Sequence, residues 1–437
     1  MLLDFKISNY KSFYDETIFS MIPAPKQTGL DYSIQSEKIG AKNYRGLSSA
    51  VIYGPNASGK TNLIGAMETM RAIVLRGNIK NADTIASPNQ AAYMLELIPN
   101  CDAEDAPVSF SIRFLERNLA ISYSFSALLG NFLEKEYKRR VISEELLVNE
   151  KRVFLRNEDG LILDTPYRIK KYVQPTFSKN PSAAMEIALE SLSDEELFLC
   201  NGFKSIFSKE LTSIILNWFE NKFIVIYRAD AIRSTRKFAD PAEHTIYVEK
   251  TLTEAAKEFG ITANALGYRA DGEDVVLCSL LDDKKIAIPA ESFESYGTIR
   301  FVNEFPLIIR ALLQGATLVM DEFDASIHPM ALMNIINIFH NDEINIHHAQ
   351  LIFNTHNPIF LDASLFRRDE IKFVERSKET NRSIHYALSD FKTADGFRKG
   401  EDYMSNYFVS RYGAIEDVDF APILKKIFKE SEEKKNG

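Results

Sequence analysis

Gly54-Pro55-Asn56-Ala57-Ser58-Gly59-Lys60-Thr61 follows the apolar run Ala50-Val51-Ile52-Tyr53 and leads into a helix-patterned stretch, Asn62 to Ile73. Glycine at each end lets the backbone fold tightly enough for successive N–H groups to face one hollow, and the helix behind adds its positive N-terminus. Such a hollow suits the phosphates of a nucleoside triphosphate. In this pattern Lys60 reaches the β- and γ-phosphates and the Thr61 hydroxyl holds Mg²⁺. Gly54, Pro55, Asn56, Ala57, Ser58, Gly59, Lys60, Thr61 and Asn62 are therefore the candidate nucleotide-binding residues. The competing reading is a glycine turn that merely joins a strand to a helix, so further residues have to agree.

Far downstream, Ala316-Thr317-Leu318-Val319-Met320 reads as a buried strand ending in Asp321-Glu322. In that pattern the aspartate orders the water shell of Mg²⁺ and the next carboxylate polarises the attacking water. A second apolar strand, Gln350-Leu351-Ile352-Phe353, ends in Asn354-Thr355-His356. Taken singly, an acidic pair at a strand end is a solvated terminus and a histidine is a core residue with its bonds satisfied. Taken together after a P-loop, Thr61 and Asp321 become the metal residues, Glu322 the water-activating base and His356 the γ-phosphate sensor. A fourth piece, Ser295-Tyr296-Gly297-Thr298-Ile299-Arg300, precedes the helical stretch Phe301 to Leu313. Serine and glycine at a helix start offer a hydroxyl and free N–H groups, which serve an ordinary cap or a phosphate equally well.

With these pieces in this order the chain resembles the ABC-type ATPases, in the branch of the structural-maintenance-of-chromosomes and recombination-repair proteins. In that branch the signature motif lies one helix upstream of the Walker B strand. The opening Phe5-Lys6-Ile7-Ser8-Asn9-Tyr10-Lys11-Ser12-Phe13 matches the branch's first strand and turn. Glu294 to Thr298, Asp321-Glu322-Phe323-Asp324-Ala325-Ser326-Ile327-His328-Pro329, Arg367 to Ile371 and Ser410 to Ile415 narrow the likeness. They are similar to the AAA-class defence ATPases of the abortive-infection (AbiL), restriction-linked (RloA) and PARIS (AriA) kind. Two departures stand out: Tyr296-Gly297-Thr298 replaces the Gly-Gly-Gln of transporters, and the Q-loop glutamine is not evident, Gln90 being a candidate that reads more readily as a surface loop residue.

The resemblance implies an α/β fold: a P-loop ABC-type ATPase head with a mixed sheet, an antiparallel sheet and helices, carrying a mainly helical insertion. It implies ATP and Mg²⁺ as cofactors, slow regulatory hydrolysis, and a nucleotide shared between two heads of a homodimer or higher homo-oligomer. It assigns Ser295, Gly297 and Thr298 to the ATP of a partner head, and Asp324, Ser326 and His328 to the loop that crosses the dimer. It further implies a sensor or scaffold subunit of a bacterial antiphage system. Such a subunit holds a partner nuclease of the topoisomerase-primase type until a phage protein is sensed. The rivals are a DNA-repair ATPase that engages DNA ends directly and a module that binds ATP and hardly turns it over.

Composition bounds these readings. The chain has 437 residues, 45% apolar and 26% charged, ordinary for a globular protein of more than one core. No run of eighteen apolar residues occurs, so neither a membrane span nor a signal peptide is expected. Cys101, Cys200 and Cys278 are scattered without metal spacing and read as free thiols of a reducing cytoplasm. The net charge of −9 lacks the basic surplus of a protein that tracks along DNA, which favours a protein partner. Basic clusters at Lys135 to Arg140 and Lys222 to Lys237 read as solvated faces. The 30 Phe and 18 Tyr fall at core spacing among Ile and Leu rather than forming a base-stacking platform.

Three parts follow along the chain. Residues 1–155 alternate strands and turns around the P-loop, 156–285 turn mainly helical, and 286–437 alternate strands and helices through the signature, Walker B and His356. Within the middle part the helices are expected at Ala183 to Leu197, Phe203 to Trp218 and Tyr247 to Phe259, too short and broken for coiled-coil arms. The charged tail, Lys425 to Gly437, is expected to fray.

Overall fold

The computed structural model describes residues 1–25, 27–80, 97–103, 105–130, 139–164, 167–173, 181–227, 246–248, 250–258, 260, 264–271, 274–281, 286–324, 327–392, 401–415 and 420–436. Gln90, Ser326 and most of both basic clusters lie outside these residues.

The N-terminal part supplies β1 (Leu2–Ser8), β2 (Thr17–Ser20), the hairpin β3 (Ile34–Ile39) and β4 (Lys42–Leu47), and β5 (Ser49–Tyr53). After the P-loop helix, Lys60–Arg76, come β6 (Val108–Glu116), β7 (Leu119–Leu128), β8 (Arg140–Val148), β9 (Lys151–Asn157) and β10 (Gly160–Leu163). Then follow β11 (Phe223–Ile226), β12 (Ile246–Val248), β13 (Ala265–Asp271), β14 (Asp274–Leu281) and β15 (Ile286–Pro289). The C-terminal part adds β16 (Thr317–Met320), β17 (Gln350–Asn354), β18 (Ile371–Arg376) and β19 (Ser383–Ala387).

These strands build two main sheets. A six-stranded sheet runs β11-β16-β17-β5-β18-β19, parallel except for the antiparallel edge strand β19. A seven-stranded antiparallel sheet runs β10-β9-β8-β7-β6-β1-β2. The expected combination of a mixed and an antiparallel sheet is thus the observed one. Strands β5, β16 and β17 are buried at every residue, as a parallel sheet covered on both faces requires. Because side chains alternate, Ala50 and Ile52 join one core while Val51 and Tyr53 join the other. The first core packs the P-loop helix through Leu63, Ile64, Met67 and Met70 against the antiparallel sheet. The second covers the opposite face with the helices Tyr296–Gln314 and Pro329–His340.

Aromatic residues fill the first core. Trp218, Phe114, Phe154 and Phe198 are fully buried, and the Phe114 ring stacks on Trp218 at 3.8 Å between centroids. Cys101, Cys200 and Cys278 are free thiols.

Two expectations need correction. Helix does occupy much of 181–222, but Phe223–Ile226 is an edge strand of the mixed sheet and β12 to β15 form a separate four-stranded antiparallel sheet. The expected helix from Tyr247 divides into strand Ile246–Val248 and helix Lys250–Glu258. A four-residue apolar run such as Phe-Ile-Val-Ile is equally consistent with either type until its long-range partner is known, and here that partner is β16. Across the tail expected to fray, Ala421–Asn436 is helical, rich in the Lys and Glu that favour helix, and its described side chains are exposed. No helix among the described residues is long and apolar enough to cross a membrane.

Candidate functional site

Strand β5 ends at Tyr53, and the loop 54–59 turns directly into the helix that begins at Lys60. Both glycines are demanded by space. A Cβ on Gly54 would stand 2.0 Å from the Val374 carbonyl oxygen, and one on Gly59, where φ is 114°, would stand 2.3 Å from the Ser383 Oγ. The Ser383 hydroxyl donates to the Ser58 carbonyl and lies 2.7 Å from the Ser12 hydroxyl, and Asn62 Nδ2 donates to Ser12 Oγ at 2.8 Å, so the loop is clamped from the N-terminal turn and from β19. Asn62 is thereby placed on the N-terminal turn, while Asn56 and Ala57 form the exposed tip.

The loop is built around unspent donors. Lys60 is buried and its ammonium donates to the carbonyls of Gly54 at 2.7 Å and Pro55 at 2.8 Å. Burial lowers its pKa to about 8, against the pull of Asp321, Glu322 and Asp324. The Ser58 hydroxyl is buried without a hydrogen-bond partner, and no side chain caps the helix start at Gly59. A lysine folded onto its own loop, an orphaned hydroxyl and an uncapped helix N-terminus together fit a bound polyphosphate.

The two residues expected to hold the metal are in contact. Thr61 Oγ1 donates to Asp321 Oδ1 at 3.2 Å, and Asn354 Nδ2 donates to the same oxygen at 2.5 Å. A hydroxyl and a carboxylate oxygen in contact are the hard donors that Mg²⁺ takes while keeping several waters. Beyond Asp321 the chain turns sharply. Glu322 has φ of 52°, a left-handed conformation that disfavours a non-glycine residue by roughly 1–2 kcal/mol. Its N–H donates to the Asn354 side-chain oxygen, which fixes the turn while leaving the carboxylate exposed.

The end of β17 organises the rest. Thr355 Oγ1 donates to Asp324 Oδ2 at 2.5 Å. His356 is exposed, yet partial shielding of its ring and then the nearby Lys60 charge hold its pKa below the ordinary histidine value, with Asp324 and Asp321 opposing. Lys60, Thr61, Asp321, Glu322, Asp324 and His356 are therefore gathered at one end of the parallel strands. Asn354 and Thr355 carry bonding roles that the sequence reading left unassigned. Two polar residues closing an otherwise apolar buried strand were the signal that could have found them.

Ser295, Gly297 and Thr298, expected to face a partner head, stand apart. Ser295 caps the helix Tyr296–Gln314 by accepting from the Thr298 N–H at 3.1 Å, and its Oγ lies 2.9 Å from the Thr298 hydroxyl. Gly297 and Thr298 are buried, whereas Ser295 is exposed. Among the described residues no hydrogen bond joins Ser295 to the P-loop of its own chain. His328 caps the helix Pro329–His340, its Nδ1 accepting from the Met330 N–H at 3.2 Å. Around these caps Phe293, Tyr296 and Met330 are 47%, 56% and 58% exposed. Ser326 lies outside the described residues.

Comparison with known proteins gives a family. Residues 49–362 match the family described as "AAA domain, putative AbiEii toxin, Type IV TA system". Among solved structures the chain is similar to an SMC head domain from Thermotoga maritima, at 12% identity over 88% of this chain and 98% of that one, with a TM-score of 0.36. It is also similar to an SMC head bound to the C-winged helix domain of ScpA, at 12% identity over 89% of this chain and 98% of that one, with a TM-score of 0.38. No curated protein matches it. The matched span holds the P-loop, the Asp321-Glu322 turn and the Asn354-Thr355-His356 strand end, and the chain belongs to this AAA-domain family.

Proposed function

We propose that the chain is an ATP-hydrolysing switch that works as the sensor or scaffold subunit of a bacterial antiphage system in the cytoplasm. The observation that carries the ATPase reading is the contact of Thr61 with Asp321, beside a carboxylate, Glu322, that is exposed on a fixed turn. Lys60 and the loop amides hold the β- and γ-phosphates. Mg²⁺, held by Thr61 and Asp321, would supply charge neutralisation on the phosphates. Glu322 takes the proton of the water that attacks the γ-phosphorus as the bond to the β–γ bridging oxygen breaks, giving ADP and phosphate. His356, beside Lys60, contacts the γ-phosphate.

A second copy completes the site. The exposed Ser295, surrounded by the exposed apolar Phe293 and Tyr296, supports a face that meets the nucleotide of another head, with Asp324, Ser326 and His328 at the crossing loop. The defence role is supported by the toxin–antitoxin description of the family and by the likeness of residues 294–298, 367–371 and 410–415 to defence ATPases. The toxic step belongs to another polypeptide, a nuclease of the topoisomerase-primase type released when a phage component is sensed.

The test is affinity purification of tagged Glu322→Gln protein from its host with ATP and Mg²⁺, beside Lys60→Ala. Glu322→Gln is expected to keep ATP, persist as an oligomer and retain a stoichiometric nuclease-like protein, whereas Lys60→Ala loses the nucleotide. Recovery of DNA alone, released by high salt, would move the assignment to a repair ATPase acting on DNA ends. Normal ATP binding and turnover in both variants would overturn the site itself.

A further inference from the structure

The helix Tyr296–Gln314 begins at Ser295 and carries Arg300 about one turn later, on the face turned towards the mixed sheet. Arg300 is buried, and its guanidinium has two sets of partners. Nε donates to Glu304 Oε1 at 2.7 Å, one turn along the same helix. Nη2 donates to the main-chain oxygen of Glu322 and, at 3.4 Å, to that of Asp321. Both polar groups of the Glu322 backbone are thus pinned by side chains: the N–H by Asn354 from β17, the C=O by Arg300 from the signature helix. Glu322 is the residue with φ of 52°, so the left-handed turn that aims its carboxylate is held by those two contacts among the described hydrogen bonds.

The front of the same helix is tied elsewhere. Glu294, the residue before Ser295, accepts from Ser279 Oγ at 2.7 Å and from Asn264 Nδ2 at 3.0 Å, both at the four-stranded sheet. Phe301 and Val302 pack with Leu266 and Ala256 of that module. The helix therefore spans two bodies: its start is anchored to the small sheet and its second turn to the Asp321-Glu322 turn.

We propose, on the reading of Glu322 as the water-activating carboxylate, that Arg300 is the positioning residue for it, coupling the signature helix and the small sheet behind it to the hydrolytic turn. A displacement of the helix draws on the Glu322 carbonyl and re-aims the carboxylate, while leaving the P-loop, which Arg300 does not touch, free to bind nucleotide. Glu304 sets the guanidinium: one of its oxygens holds Nε and the other is buried without a hydrogen bond.

The experiment uses the purified full chain with Arg300→Ala, Arg300→Lys and the double variant Arg300→Met/Glu304→Leu, which removes both side-chain partners together and so leaves neither one buried without the other. Turnover is expected to fall about 100-fold in Arg300→Ala and in the double variant, with ATP affinity within about threefold of wild type, since misplacement of a reacting group by an ångström has that effect. Arg300→Lys, with one donor but no fork, recovers part of the rate. Hydrogen exchange without nucleotide gives a separate readout: the Glu322 amide exchanges about tenfold faster in the double variant while the P-loop helix is unchanged. Wild-type turnover with unaltered rates and exchange in the variants would overturn the role of Arg300 alone, as would ATP affinity falling in step with rate. A wild-type chain that binds ATP and never hydrolyses it would overturn the hydrolysis reading, and the role of Arg300 in it, whatever the exchange data.

Discussion

Lys60 gives the sharpest quantitative test of the phosphate cradle. Its amine is pushed down to about 8 by burial, with Asp321, Glu322 and Asp324 opposing. Phosphates bind the ammonium form, so the apparent Kd rises with the factor 1 + 10^(pH − 8): about 1.1 at pH 7, about 2 at pH 8 and about 11 at pH 9. The sign follows from linkage: above the free-site pKa, binding must take up a proton, so affinity falls as pH rises. Few other groups interfere. His356 lies below the ordinary histidine value and is neutral across this window, and the terminal phosphate of ATP, with a second pKa of about 6, is already ionised. Lys372, also lowered to about 8 by burial, titrates in the same range but has no contact with the P-loop, so it moves fold stability rather than ATP affinity. The assay is equilibrium binding of a fluorescent ATP analogue with Mg²⁺ at pH 7, 8 and 9, with Lys60→Arg as the control whose guanidinium cannot deprotonate. A wild-type Kd that stays flat to pH 9, or an arginine variant with the same rise, would refute the assignment of Lys60 as a buried cation that spends its charge on phosphate.

Asn354→Ala removes the acceptor of the Glu322 N–H and a donor to Asp321. Steady-state ATP hydrolysis is expected to drop by about 100-fold and urea unfolding to lose about 1–3 kcal/mol, the range for a buried polar contact left unpaired. Phe114→Ala deletes a fully buried ring stacked at 3.8 Å on Trp218, so urea unfolding should lose about 3–5 kcal/mol; a loss under about 1 kcal/mol would mean that this core is not packed as described.

What was legible in the sequence follows the range of the interactions that decide it. Strands β5, β16 and β17 are buried on both faces, so each reads as an unbroken apolar run, and each ends abruptly in the polar residues of the site. The P-loop is legible from its residue pattern between a strand and a helix, although the close approaches that demand its two glycines come from Val374 and Ser383, far along the chain. Strand β11 was not, because Phe-Ile-Val-Ile is defined by its pairing with Thr317–Met320 across a long stretch of chain. Strands β12 to β14 were missed for the same reason, being defined by one another and by β15. Within the site, the residue types announced Lys60, Thr61, Asp321, Glu322 and His356. The bonding of Arg300 and Asn354 depends on which backbone groups of Glu322 lie opposite, 22 and 32 residues away in sequence, and no spacing rule carries that. Nor does glutamate announce a left-handed backbone; the conformation exists because tertiary partners hold it.

Burial divides these residues by task. Lys60, Asp321, Asn354 and Arg300 are buried and hydrogen-bonded within or beside the P-loop and the Asp321-Glu322 turn. Glu322, His356, His328 and Ser295 are exposed. A carboxylate in open water is a weak and poorly aimed base, and electrostatic stabilisation gains its strength only where water is excluded. With the roles proposed for these residues, a single head would capture ATP and cleave it poorly. In the proposed dimer, closure of a second head over the exposed half would exclude water around Glu322, and the lifetime of the ATP state would then be set by assembly rather than by one chain. Under the proposed sensor role, a partner would be held for as long as the assembled state lasts, and a modest shift of the helix that begins at Ser295, passed through Arg300, would end it.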